Sequence, residues 1–266
     1  MEADDLITPR LVAEYQATLG PNLAAVSSGE APLALHWCLA PPITPLSAVG
    51  ADGHAAKGEF LPPVPLPRRM WAGGSVAWHA PLRGGDQVRR RSVIADVTVK
   101  EGRSGTLCFV AVDHEYSTER GLALTERHDI VYREAATGGG KTAPAAAAQE
   151  ARPADLTWTV EATPTLLFRY SAMTFNGHRI HYDAPYVTGI EGYPGLIVHG
   201  PLQASLMFNL AATLGGRPPA SFRYRGLSPL FSGGSFAVRG RRDSDGRILC
   251  WTENAAGTIC MESESS

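Results

Sequence analysis

Between Ser171 and Asp183 the chain reads SAMTFNGHRIHYD, placing two His, an Asn, an Arg and an Asp within eight residues. About fifteen residues further on, Gly195 to Leu202 (GLIVHGPL) carries a His-Gly pair at the start of an apolar helical pattern. A histidine with a pKa near neutrality can take a proton from water. A backbone amide at Gly200, before the first helical turn, has no intrahelical partner and sits at the positive end of the helix dipole. It is a natural donor to an oxygen gaining negative charge, such as a thioester carbonyl becoming an enolate. Together these features point to acid–base chemistry on a small carbonyl compound.

The elements that must position these groups follow from periodicity. Leu202, Leu206, Leu210 and Leu214 recur every four residues, with Met207 and Ala211 on the same face, which predicts a helix over 201–214. Pro201 suits its first turn and Gly215-Gly216 its C-terminal cap. Four short strands are predicted after it, at 221–227, 234–242, 247–252 and 257–262. Before it, 157–168 reads as a strand leading into a polar loop, 171–185. The N-terminal half offers a helix at 8–20, a Pro/Gly-rich passage from Pro41 to Pro67, and strands at 75–82, 87–100, 104–118 and 122–133. Residues 135–154 (AATGGGKTAPAAAAQEARPA) have little to bury and read as a linker. Its Gly138 to Thr142 imitates the end of a phosphate loop, but Ala135 stands where that loop needs its first glycine. The fold class is α+β, a helix laid across a curved antiparallel sheet.

Composition narrows the function. The chain has 266 residues, 44% apolar and 19% charged, with a net charge of −2, the balance of an ordinary globular protein. There is no basic field for nucleic acid or anionic lipid. Cys38, Cys108, Cys250 and Cys260 lack zinc spacing and are expected reduced. An acidic N-terminus and the lack of a long apolar run predict a cytoplasmic protein. Among single residues, His199 is expected to be structural and Asp183 to orient a His or cap a turn. His178, His181 and Asp183 lack a third neighbour of metal-site type, so no metal is expected. Arg89-Arg90-Arg91 reads as a solvated strand. Arg223 and Arg225 lie two apart on one strand face and are the candidates for binding phosphate. Trp71, Trp78, Trp158 and Trp251 are assigned to core or interface.

The run from Asn176 to Asp183, followed by Tyr193 to Gly200 (YPGLIVHG), resembles the hydratase-2 motif of MaoC-like enoyl-thioester hydratases. It is most similar to the branch of 3-methylfumaryl-CoA (mesaconyl-C4-CoA) and itaconyl-CoA hydratases, related to mitochondrial 3-hydroxyacyl-thioester dehydratases. Leu66 to Gly73 (LPRRMWAG) and Phe222 to Phe231 (FRYRGLSPLF) extend the resemblance over most of the chain. It implies a double hotdog: a degenerate N-terminal hotdog with an N-terminal helix over 1–134, the linker 135–154, and a catalytic hotdog over 155–266. A central helix in the first hotdog is not evident between 70 and 134 and is expected to be short, or to lie within Pro41 to Pro67. The family's catalytic His falls on His181, its catalytic Asp on Asn176 and its oxyanion glycine on Gly200, while His178-Arg179 replaces the usual Asn-Pro. An amide cannot accept the proton, so His181 is expected to be the sole base, with the Asn176 carbonyl holding the water. Arg179 and His178 are candidates for contacting the acyl group, Arg179 either gripping a free carboxylate or pinning its own loop. The implied reaction is reversible hydration of a short, branched, carboxylated enoyl-CoA to (S)-citramalyl-CoA. No cofactor is expected beyond the coenzyme A of the substrate, and a homodimer is possible. A fatty-acid-type dehydratase and a silent acyl-CoA-binding subunit are the alternatives.

Overall fold

The computed structural model describes residues 1–102, 105–134 and 152–266. Among these the strands are β1 (Glu2–Leu6), β2 (Arg68–Trp78), β3 (Gln87–Gly102), β4 (Gly105–Thr118), β5 (Gly121–Arg133), β6 (Leu156–Glu161), β7 (Ser221–Gly226), β8 (Ser235–Arg242), β9 (Ile248–Glu253) and β10 (Ile259–Ser265). The helices are α1 (Pro9–Leu19), α2 (Pro164–Met173), α3 (Ala184–Gly189) and α4 (Gly200–Gly215). The linker reading falls outside the described residues up to position 151, as does the phosphate-loop mimic within it.

All ten strands form one antiparallel sheet in the order β1-β3-β4-β5-β2-β7-β10-β9-β8-β6. The second half repeats the first in mirrored order, so the sheet has a pseudo-twofold axis between β2 and β7. Those strands pair from Gly73 opposite Arg225 to Ala77 opposite Ser221. A Thr-Pro pair marks the same point in each half. Thr8 Oγ1 accepts from Leu11 N to cap α1, and Thr163 Oγ1 accepts from Leu166 N to cap α2, each with Pro in the first turn.

On the inner face of the second half lies α4, buried from Leu202 through Ala212. Each of its fully buried leucines contributes about 1.5–3 kcal/mol. The first half has no such helix. Residues 31–40 take its place, with a four-residue 3-10 turn at Leu35–Cys38 bounded by left-handed Ala34 (φ 68°) and Ala40 (φ 47°). The reduced helix therefore lies before Pro41, not within Pro41–Pro67. Prolines 32, 41 and 42 and the two left-handed residues stop any extension. Beside it, Val64 and Leu66 cover Cys108, Val110, Val112 and Tyr132 on the inner face.

Other expectations also shift. β2 begins at Arg68, seven residues before the predicted strand. The strand predicted from 157 is β6 and ends at Glu161, α2 occupies the rest of it and the start of the predicted loop, and Asp183 caps α3 by accepting from Tyr186 N. The four cysteines are buried and unpaired. Trp251 is buried, and Trp71, Trp78 and Trp158 pack against the core. Arg89 and Arg91 pair with Asp4 and Glu115 on the outer face while Arg90 turns inward. Among the described residues no helix is long and apolar enough to cross a membrane.

Candidate active site

His181 closes a short 3-10 turn, Arg179–His181, between α2 and α3. Its Nδ1 lies 2.7 Å from the Ile197 carbonyl oxygen, so Nδ1 carries the hydrogen and Nε2 keeps its lone pair. The ring stacks on His199, with centroids 3.6 Å apart and planes 18° apart. His199 is fully buried and its Nε2 meets Ser171 Oγ at 2.8 Å, the structural role expected of it. Burial pushes His181 down to about 4 against the opposing Ile197 hydrogen bond, so the ring is neutral at physiological pH. It offers a fixed, unprotonated nitrogen.

Asn176 follows α2 in the catalytic loop. Its Oδ1 accepts from His178 N at 3.0 Å, forming an Asx turn. The carbonyl assigned to the water thus has one of its two lone pairs taken by the backbone, and Nδ2 is available to donate. His178 sits 5.5 Å from His181, ring to ring. A tight turn from the first half docks on this loop: Arg179 N donates to Asp52 O, and the His54 ring lies 4.0 Å from that of His178. Gly53 (φ +87°) makes this approach possible, because a Cβ there would fall 1.9 Å from Gly177 O.

Gly200 begins α4, and its N–H has no acceptor among the described residues. Trp71 from β2 lies against it, with Cε3 2.6 Å from where a Cβ would stand. Trp71 in turn stacks on Tyr224 at 4.7 Å. The first half of the chain therefore forms one wall of the site, through Trp71 and through the turn bearing Asp52 and His54.

For Arg179 the contacts match the loop-pinning reading, and the phosphate assignment of Arg223 and Arg225 is corrected. Arg179 donates from Nε and Nη2 to Asp183 Oδ2 and from Nη1 to Ala51 O, and its guanidinium lies 4.1 Å from the Tyr186 ring centre. It pins the loop, leaving its charge neutralised by Asp183. Arg223 and Arg225 do share a strand face, but Phe222 and Tyr224 occupy the inner one. Both arginines point outward, away from α4, and Arg225 pairs with Glu262. Nor do His178, His181 and Asp183 form a cluster. Among the described residues the group within metal-ligand reach is Asp52, His54 and His178, where Asp52 Oδ2 is already bonded to His54 Nδ1 at 2.9 Å.

Beyond Trp71 lies a buried network that sequence reasoning missed. Glu126 of β5 is 3% exposed and accepts from Trp37 Nε1 (2.5 Å), His128 Nε2 (2.7 Å) and Tyr224 OH (3.4 Å). His128 Nδ1 meets His114 Nε2 at 3.2 Å, and His114 Nδ1 meets Ser92 Oγ at 2.8 Å. Burial pushes Glu126 upward, but His128, His36 and His114 outweigh it and hold the carboxyl below its usual range.

Comparison with known proteins agrees with this fold. Residues 34–232 match the family of hydroxyacyl-thioester dehydratase type 2. A mesaconyl-C(4)-CoA hydratase of Chloroflexus aurantiacus is 42% identical over 91% of this chain and 86% of its own. The mitochondrial hydroxyacyl-thioester dehydratase type 2 of Schizosaccharomyces pombe is 26% identical over 71% of this chain and 70% of its own. Among solved structures, a MaoC-like dehydratase from Phytophthora capsici superposes with a TM-score of 0.68 at 17% identity, covering 100% of this chain and 94% of the other. A double-hotdog protein of Mycobacterium tuberculosis gives 0.55 at 14% identity, covering 98% and 92%. The fold is the double hotdog.

Proposed function

Because the chain belongs to the hydroxyacyl-thioester dehydratase type 2 family, it is a hydratase-type hydro-lyase, and we propose that it hydrates a short, branched, carboxylated enoyl-CoA. The substrates that fit are 3-methylfumaryl-CoA and its isomer itaconyl-CoA, and the product is (S)-citramalyl-CoA. The observation that carries the mechanism is the His181 tautomer: Ile197 O fixes the proton on Nδ1 and leaves Nε2 as base. The 42% identical relative, itself a mesaconyl-C(4)-CoA hydratase, supports the choice of acyl group.

In the hydration of 3-methylfumaryl-CoA, whose double bond is conjugated to the thioester, the carbonyl accepts from Gly200 N–H, which draws electron density from Cβ; itaconyl-CoA requires a prior shift of its double bond into conjugation. His181 Nε2 takes a proton from a water that Asn176 orients by donating from Nδ2, and the water oxygen bonds to Cβ. The electron pair moves onto the thioester oxygen as an enolate. The proton now on His181 then passes to Cα, restoring the carbonyl and the neutral imidazole. Coenzyme A enters as part of the substrate, and the steps consume only the enoyl thioester and water.

The test is loss of enoyl-thioester absorbance with crotonyl-CoA, itaconyl-CoA and 3-methylfumaryl-CoA. The proposal expects a carboxylated thioester to react with the highest kcat/KM. Preference for crotonyl-CoA would instead indicate a broad dehydratase of fatty-acid type. Absence of any turnover would leave the silent acyl-CoA-binding subunit.

A further inference from the structure

A carboxylate taken into a protein site needs a compensating donor or charge, and Arg179 is already committed to Asp183. Another cation lies on the facing wall. Arg69 of β2 precedes Trp71 by two residues, on the same side of the strand, and Trp71 is the residue that lies against Gly200. In the β2–β5 ladder Arg69 stands opposite Tyr132. Tyr132 is 0% exposed, and its hydroxyl faces Arg69 with no acceptor for its own hydrogen among the described residues. Its neighbour Arg68 is paired with Glu191, whereas Arg69 has no carboxylate partner among the described residues. The nearby ammonium of Lys57 is taken up by the carbonyls of Val64 and Leu66, and the Asp52 carboxylate by His54. The charge of Arg69 also acts on the rings of His54 and His178.

We propose that Arg69 and Tyr132 form the site for the free carboxylate of the acyl group, Arg69 supplying the charge and the Tyr132 hydroxyl a second donor. This rests on the reading of the substrate as a carboxylated enoyl thioester. In the 3-methylfumaryl group the carboxylate is borne by the carbon that water attacks. Holding it on the β2 wall fixes Cβ between that wall and His181 and excludes acyl groups that leave Arg69 unpaired.

The experiment compares kcat/KM for 3-methylfumaryl-CoA and crotonyl-CoA in wild type, Arg69→Met, Arg69→Lys and Tyr132→Phe. Loss of a charge-assisted pair is expected to lower the ratio between the two substrates about ten- to a hundred-fold in Arg69→Met. Arg69→Lys should recover part of the ratio, and Tyr132→Phe should lower it in the same sense but less. An equal fall on both substrates would overturn the proposal, placing Arg69 on the phosphates of coenzyme A or in the fold. A second arm measures binding of the unreactive succinyl-CoA and butyryl-CoA by calorimetry. Wild type should prefer succinyl-CoA and Arg69→Met should lose that preference; no preference in wild type would sink the proposal. This arm reads the site without turnover, so failure of the hydration reading and failure of the carboxylate site are separately visible.

Discussion

Replacing Gly200 by Ala tests whether the first amide of α4 is the donor to the thioester oxygen. The added Cβ would stand 2.6 Å from Trp71 Cε3, 3.1 Å from Cζ3 and 3.6 Å from Met261 Cε. Carbon atoms rest at about 3.5–4.0 Å, so about 1 Å of movement is required. Trp71 has little freedom to provide it, held by the stacked Tyr224 at 4.7 Å and by edge contacts with His128 at 5.6 Å and Trp37 at 6.3 Å. The first turn of α4 must therefore give way, carrying the amide with it. Overpacking costs about 1–3 kcal/mol, offset by the roughly 0.5–1 kcal/mol that Ala gains over Gly in a helix. Urea unfolding should show a net loss of at most about 2.5 kcal/mol. Losing an oxyanion donor costs about 10²–10³ in kcat, or about 2.7–4 kcal/mol in the barrier, whereas the stability loss leaves the kcat of the folded enzyme unchanged. Steady-state hydration of the best substrate measures it, and adding Trp71→Leu should restore part of the rate by opening space. A Gly200→Ala enzyme within about threefold of wild-type kcat, less than ~0.7 kcal/mol in the barrier, would refute the assignment.

His181→Ala should lower kcat by about 10²–10⁴ while the fold persists. In wild type His181 binds a proton only below about 4, so kcat/KM should climb through that pH and be level at neutrality; a limb centred near 6.5 would contradict the burial argument. The unfolded chain binds this proton at up to 6.5, so His181 contributes stability that is complete above that pH. As pH falls from 6.5 to about 4 that stability is lost at up to ~1.4 kcal/mol per pH unit, measurable as a falling urea midpoint. Asn176→Asp keeps the Asx turn but exchanges Nδ2 for a second carboxylate oxygen in the loop that carries His181. Activity should fall at least about tenfold, the scale of one lost hydrogen bond to a charged or reacting group, and the ascending limb should move to higher pH; undiminished kcat would show that Nδ2 donates nothing. Glu126→Ala strands Trp37 Nε1, His128 Nε2 and Tyr224 OH and should cost about 3–5 kcal/mol by chemical denaturation. A loss under about 1 kcal/mol would mean that the buried network is weakly coupled to folding.

What the sequence disclosed depended on whether the signal was local. The leucine period made α4 visible because the helix is apolar enough to declare its own geometry. The Thr163-Pro164 pair carried the same information about α2 as Thr8-Pro9 did about α1, but the strand-like run before it hid the boundary. Parity placed Arg223 and Arg225 together, yet parity cannot say which face of a sheet is covered; the burial of Phe222 and Tyr224 settles that. For Arg179, on an irregular loop, spacing gave no direction at all, and Asp183 four residues later proved to be its partner. Glu126 and His128 went unmarked within the predicted strand 122–133, where Arg127 and Asp129 alternate with them on the outer face. Their burial depends on Trp37 and Tyr224, one from each half of the chain, and no local pattern reports it.

The seam between β2 and β7 has a consequence for how the chain is made. β2 leaves the ribosome long before β7 exists, so the nascent first half presents Gly73 to Ala77 as an open edge, the kind of surface on which chains aggregate. Trp71 waits as well, because the tyrosine it stacks against and the glycine it covers are both encoded later. Glu126 meanwhile lacks Tyr224, one of the donors that satisfy it in the finished protein. Synthesis thus passes through an interval in which the first five strands exist but β2 lacks its second neighbour and Trp71 its stacking partner, and the arrival of β7 provides for both.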